Sequence, residues 1–119
     1  MALFKRKHIE KILQGEKTQT RRTHKHEWHV GRVYGLRDRW FQKAENDILI
    51  TRKFREKLGD ISLQDVKKEG YHSLEDFQKA WIEINGVWDP YEVVTAYEFK
   101  LLGAARRGKP SSVIENRKS

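Results

Sequence analysis

With 119 residues, the chain can build one hydrophobic core but not two independent ones. Hydrophobic content is only 37%, yet four Trp, four Tyr and five Phe exclude a disordered chain and point to an aromatic-rich core. A net charge of +8 makes nucleic acid the expected partner, with a densely charged surface of the thermophile kind as the alternative; zero cysteines exclude disulfides and a thiolate nucleophile.

No apolar run reaches the length of a membrane span, and the opening residues carry no signal-peptide core, so a soluble cytoplasmic protein is expected. Ala2 to Phe4 reads as a strand end. Lys5 to Gln14 then turns helical in period, with Ile9, Ile12 and Leu13 as the apolar stripe and Gly15 as its C-terminal stop.

The next residues, Glu16-Lys17-Thr18-Gln19-Thr20-Arg21-Arg22, concentrate cations and hydroxyls, which suits phosphate pairing or nucleophilic chemistry. In a regular strand Lys17, Gln19 and Arg21 would face one side and Thr18, Thr20 and Arg22 the other. Lys17 and Thr20 therefore converge only if the backbone bends between them.

Residues 23–30 form a polar loop with His24, His26 and His29; exposed loop histidines are commoner than zinc ligands, so no metal site is expected. Arg32 to Arg37 alternates as a strand with a bend at Gly35, and Trp40-Phe41 continues it or anchors a loop. Asp47 to Leu58 is a half-buried strand with Ile48, Ile50 and Phe54 on one side. Arg52 breaks its pattern, which predicts a bulge or a cation lining a cleft.

Ser62 with Asp65 caps a helix over Leu63 to Glu69 that turns Leu63 and Val66 inward and stops at Gly70. Ser73 with Asp76 opens another, striped by Leu74, Phe77, Trp81 and Ile84 and ending near Asn85-Gly86. After a turn at Val87 to Pro90, Tyr91 to Leu102 is the strongest strand. Val93, Tyr97, Phe99 and Leu101 share one face, and Val94 and Ala96 the other. Residues 103–119 read as a basic tail following a domain over residues 1–102, and no internal repeat is present.

Two blocks carry a family resemblance. Ile12-Leu13-Gln14-Gly15 with the Glu16 to Arg22 run resembles the opening motif of the ASCH domain, the homology domain of an activating signal cointegrator. Glu69-Gly70-Tyr71-His72-Ser73-Leu74-Glu75-Asp76-Phe77, with Trp81 beyond, resembles its second characteristic stretch. The resemblance implies an α+β fold: a small PUA-like β-barrel with about three helices at its rim.

It also implies binding of RNA or other nucleic acid in a basic cleft. The alternatives are an amidohydrolase that removes the N4-acyl group of a modified cytidine, or a nuclease. Matched to the amidohydrolase members, Thr20 is the nucleophile, Lys17 its base and Glu69 the assisting carboxylate. The residues expected to touch nucleic acid are Lys17, Thr18, Arg21, Arg22, Trp28, Arg32, Trp40, Arg52 and Tyr71. No cofactor is implied. The loop at 23–30 and the basic tail depart from the smallest enzymatic members and suit a longer polynucleotide track.

Overall fold

The computed structural model describes residues 2–23, 27–38 and 43–104. His24, His26, Trp40, Phe41 and the tail from residue 105 lie outside the described residues. In chain order the elements are β1 (Ala2–Leu3), α1 (Arg6–Leu13), β2 (Gln19–Arg22), β3 (Val33–Arg37) and β4 (Lys43–Lys57), then a 3-10 turn (Leu58–Asp60), α2 (Leu63–Lys68), α3 (Leu74–Asn85) and β5 (Val93–Ala104). No helix among the described residues is long and apolar enough to cross a membrane.

The five strands form one mixed sheet in the order β1-β3-β4-β5-β2, with β1 parallel to β3 and the other pairings antiparallel. This is the α+β architecture expected, with three helices, but the sheet is open: among the described residues no backbone ladder joins β1 to β2. It nevertheless curls. In a flat sheet the two outer strands would lie roughly 19 Å apart, at about 4.8 Å per strand. Here the Arg22 side chain on β2 donates to the Leu3 carbonyl of β1 at 2.9 Å.

Two apolar clusters hold the fold. One fills the concave side, with Phe4, Ile9, Ile12, Trp28, Leu36, Ile48, Ile50, Tyr97 and Phe99. The other, made of Leu58, Ile61, Val66, Phe77, Trp81 and Val94, fixes α2 and α3 to the strand ends. β5 serves both, since Tyr97 and Phe99 enter the first and Val94 the second. Each large side chain buried in this way contributes about 2 kcal/mol.

Both serine caps form. Ser62 Oγ accepts from the Asp65 amide at 3.0 Å and Ser73 Oγ from the Asp76 amide at 3.1 Å. Several inward assignments differ. Leu13, Leu63, Leu74 and Ile84 are exposed, whereas His8, Val66, Phe77 and Trp81 are buried. In α1 the buried line is His8, Ile9 and Ile12, one residue around the helix from the apolar stripe, because the chain turns off at Gly15 (φ 81) before Leu13 reaches the core. α2 is only six residues long, and its first residue, Leu63, lies clear of the packed turn.

The break at Arg52 is a bulge. Ile50 pairs with Phe99 but Arg52 with Glu98, so β4 spends an extra residue at this point. Phe54 is thereby moved off the face of Ile48 and Ile50, and it sits across from Ala96, which in turn faces Arg21. Without the extra residue, period-two alternation would keep Phe54 with the isoleucines.

Candidate functional site

The run after α1 is placed by its backbone first. Both Glu16 and Lys17 amides return to the Lys11 carbonyl, at 2.9 and 3.3 Å, folding the chain back on the helix end. The Thr18 amide then donates to Lys68 O at 2.8 Å, and Thr18 O accepts from the Phe99 amide at 3.0 Å. This pins the start of β2 between the end of α2 and β5. α2 closes at Glu69, and Gly70 takes φ 97, a conformation that costs glycine little.

The consequence is a buried charge cluster. Lys17 Nζ donates to Glu69 Oε1 at 3.1 Å and to the Glu69 carbonyl at 3.0 Å. Arg21 Nη1 donates to Glu69 Oε2 at 2.9 Å and to the Gln19 side-chain oxygen; its Nη2 pairs with Glu56 and, at 3.3 Å, with Asp65. Lys17, Arg21 and Glu69 are all buried. Burial lowers the Lys17 ammonium from its usual value, helped by the Arg22 and Lys11 charges and opposed by Glu69. For Arg21, burial works against the charge, but Glu69 and Glu56 outweigh it and raise the group further.

Beside this cluster lies a cleft of about 420 Å³ between the two outer strands. Leu3, Phe4, Lys5 and His8 form one side, Lys17 and Thr20 to Thr23 the second, and Glu69, Tyr71 and α3 residues from Phe77 to Asn85 the third. Arg22 stands at the seam, its guanidinium 4.7 Å from the Phe4 ring centre and 5.0 Å from that of Trp28. Burial lowers the Arg22 value, yet a guanidinium remains charged in proteins. Tyr71, 4.5 Å under Lys11 Nζ, has its hydroxyl pushed up to about 12 by burial and by Glu69 and Glu83.

Lys17, Thr20 and Glu69 line this one cleft. The parity conflict is met in two ways: Lys17 precedes the regular strand, and β2 is an edge strand, so side chains from both of its faces reach a cleft that runs past the edge.

Among the residues expected to touch nucleic acid, Lys17, Arg21, Arg22 and Tyr71 line the cleft. Arg21 is committed to three carboxylates and is no free phosphate ligand. Trp28 is a core residue under Arg22, in contact with Tyr97 at 5.0 Å between ring centres. Thr18, Arg32 and Arg52 are exposed and outside the cleft wall; Arg52 stacks on Phe54 and reaches Glu98 at 3.5 Å. Trp40 lies outside the described residues.

Sequence reasoning missed His8, Phe4 and Asn85 as cleft residues. His8 had a signal, because it precedes Ile12 by four residues and so shares its helix face. Its ring lies edge-on to Tyr71 at 6.2 Å, and burial followed by the Lys17, Lys11, Lys7 and Arg22 charges lowers its value to about 3.

Fold and site together define a small α+β protein with a cleft of about 420 Å³ between the outer strands of its curled sheet. More particularly, the fold is that of ASCH domains. An ASCH domain from Lactobacillus crispatus aligns with a TM-score of 0.68 at 18% identity over 79% of this chain and 69% of that one. A Zymomonas mobilis ASCH protein aligns with 0.61 at 12% identity over 83% and 64%. An Enterococcus faecalis protein of the DUF984 family aligns with 0.60 at 15% identity over 78% and 65%. The chain thus spans roughly two thirds of the length of these neighbours. No family model matches the sequence, and no curated protein matches it.

Proposed function

We propose that the cleft binds one nucleoside unit, either within RNA or as a free modified nucleoside. The observation that carries this is the pairing of a compact cleft, about 420 Å³, with an arginine stacked on aromatic rings at its seam. That volume falls in the range of small-ligand sites. Arginine above aromatic faces supplies a stacking surface for a base and a charge for its phosphate. The RNA binding that the ASCH resemblance implies agrees with the same reading.

The cleft is less basic than the composition suggests. Of the cations that line it, Lys17 and Arg21 are paired with Glu69, Glu56 and Asp65, whereas Lys5 and Arg22 have no ion pair among the described residues, and the protein as a whole carries +8. Surface cations then supply the attraction for a polyanion and the cleft reads the single unit. The test is a titration of cytidine, N4-acetylcytidine and a short RNA against the protein at two salt concentrations. RNA affinity should fall as salt rises, while nucleoside affinity should barely change. Absence of binding by all three ligands removes the proposal.

A second reading is favoured by one observation: Lys17, Thr20 and Glu69 share the cleft, and burial lowers the Lys17 ammonium. The deprotonated fraction of Lys17, which burial enlarges, takes the Thr20 hydroxyl proton as Oγ attacks the acyl carbon of an N4-acylcytidine. The tetrahedral adduct collapses, the C–N bond breaks, and Lys17 returns the proton to the leaving amine. Water then hydrolyses the Thr20 ester and releases the acid. Glu69 holds Lys17 in place and stabilises its charged form between steps. Release of acetate from N4-acetylcytidine tests this directly, and its absence in the unmutated protein ends the second reading alone.

A further inference from the structure

Native folds pair nearly all buried polar groups, so the exceptions carry information. Among the described residues, four buried side-chain nitrogens have no hydrogen-bond partner: Nδ1 and Nε2 of His8, Nε of Arg21 and Nε1 of Trp81. All three side chains line the cleft. Arg21 is already satisfied through its other nitrogens. His8 is the extreme case, because it is 6% exposed and neither ring nitrogen is used by the protein.

Leaving such a group unpaired costs roughly 1–3 kcal/mol, and a phenylalanine or leucine would pack in α1 without that cost. The cations around His8 are Lys7 and Lys11 on its own helix and Lys17 and Arg22 opposite, so its ring is neutral: one nitrogen donates and the other accepts. The two nitrogens point to opposite sides of the ring, so a ligand in the cleft meets one of them, and an uncharged N–H or C=O such as an amide or a nucleobase carries suits either.

We infer that His8 is a specificity-determining contact of this cleft, exchanging one hydrogen bond through one of its ring nitrogens with an uncharged N–H or C=O of the ligand, with the Trp81 indole N–H donating another. The inference deepens the nucleoside reading and depends on it only for the identity of the ligand. A neutral imidazole among cations adds no charge for a phosphate, so His8 selects the heterocycle rather than the backbone.

The experiment compares unmutated protein with His8→Phe, His8→Leu and His8→Asn. Thermal melting without ligand comes first. Because the protein itself uses neither nitrogen, Tm is expected to stay or rise in His8→Phe or His8→Leu; a fall by several degrees in both means that the nitrogens serve the unliganded fold and overturns the inference. Binding comes second, with cytidine, uridine, N4-acetylcytidine and 2-pyridone as probes, together with the ¹⁵N shifts of His8. At least one probe should move a His8 ring resonance, lose tenfold or more in affinity with His8→Phe, and recover part of it with His8→Asn.

Equal nucleoside binding by the unmutated protein and His8→Phe overturns the inference and leaves the nucleoside reading standing. A His8 shift and binding with 2-pyridone alone, the binding weakened tenfold or more in His8→Phe, sustain the inference and remove the nucleoside reading. No movement of His8 with any probe overturns it.

Discussion

The Arg22 guanidinium donates to the Leu3 carbonyl at 2.9 Å, joining the two outermost strands of the sheet through a side chain where no backbone ladder does. The same guanidinium lies over Phe4 and Trp28, so one residue closes the curl of the sheet and forms the lip of the cleft. Arg22→Ala is expected to cost about 1–3 kcal/mol in chemical denaturation, the sum expected for one charged hydrogen bond and partly buried cation–π contacts. Arg22→Lys should recover little, because an ammonium lacks the planar face that stacks. Full recovery by lysine would show that charge alone holds the seam.

Glu69 bridges two buried cations, Lys17 and Arg21, whereas Lys17 has ionic contact with Glu69 alone among the described residues. Glu69→Ala strands the Lys17 charge and takes one of three carboxylates from Arg21, and Lys17→Met replaces one cation by an apolar chain of similar length. We expect Glu69→Ala to cost about 3–5 kcal/mol and Lys17→Met clearly less, measured by denaturant unfolding. The reverse order would mean that Arg21 is satisfied by Glu56 and Asp65 without Glu69.

Acid should destabilise the protein through His8. Its folded value is lowered to about 3 from 6.5 by burial and by the neighbouring cations. The unfolded chain therefore binds a proton between those values that the folded chain does not. Stability from this group is complete above about pH 6.5 and declines as pH falls toward 3, by at most about 1.4 kcal/mol per unit. Unfolding curves of the unmutated protein and His8→Phe should diverge above pH 6 less than they do at pH 4. Parallel pH profiles would refute a buried neutral His8.

Gly70 follows Glu69 at φ 97, and a Cβ there would stand 3.1 Å from Lys11 Cδ and 3.5 Å from Lys17 Cβ. Gly70→Ala is expected to cost about 1–2 kcal/mol from backbone conformation and crowding. It should also lower binding, since the crowding falls on Lys11, whose Nζ donates to the Gly70 carbonyl at 2.8 Å and lies over the cleft residue Tyr71. A variant that loses stability while keeping full site function would separate the turn from the cleft.

Much of the fold was legible because it is local. Ser62 and Ser73 announce their helices through cap chemistry, and Arg52 announces the bulge by breaking a period of two. Phe54 was misplaced because the bulge lies before it, and one inserted residue exchanges the faces of everything after it. Leu63 and Leu74 were assigned inward by periodicity, but a helix buries only the arc that another element covers, and in these short helices that arc is narrow.

Of the site, the sequence by itself determined the chemical types: the run from Gly15 to Arg22 and the Glu69-Gly70 stop are readable as cations, hydroxyls and a carboxylate at element ends. Only the tertiary structure decided their standing. It placed β2 at a sheet edge, so that Lys17 and Thr20 meet one cleft despite opposite parity, and it committed Arg21 to carboxylates brought from β4 and α2. It also left His8 unpaired beside them. Edge position, carboxylate count and unpaired nitrogens all depend on contacts between residues distant in sequence, which no local period encodes.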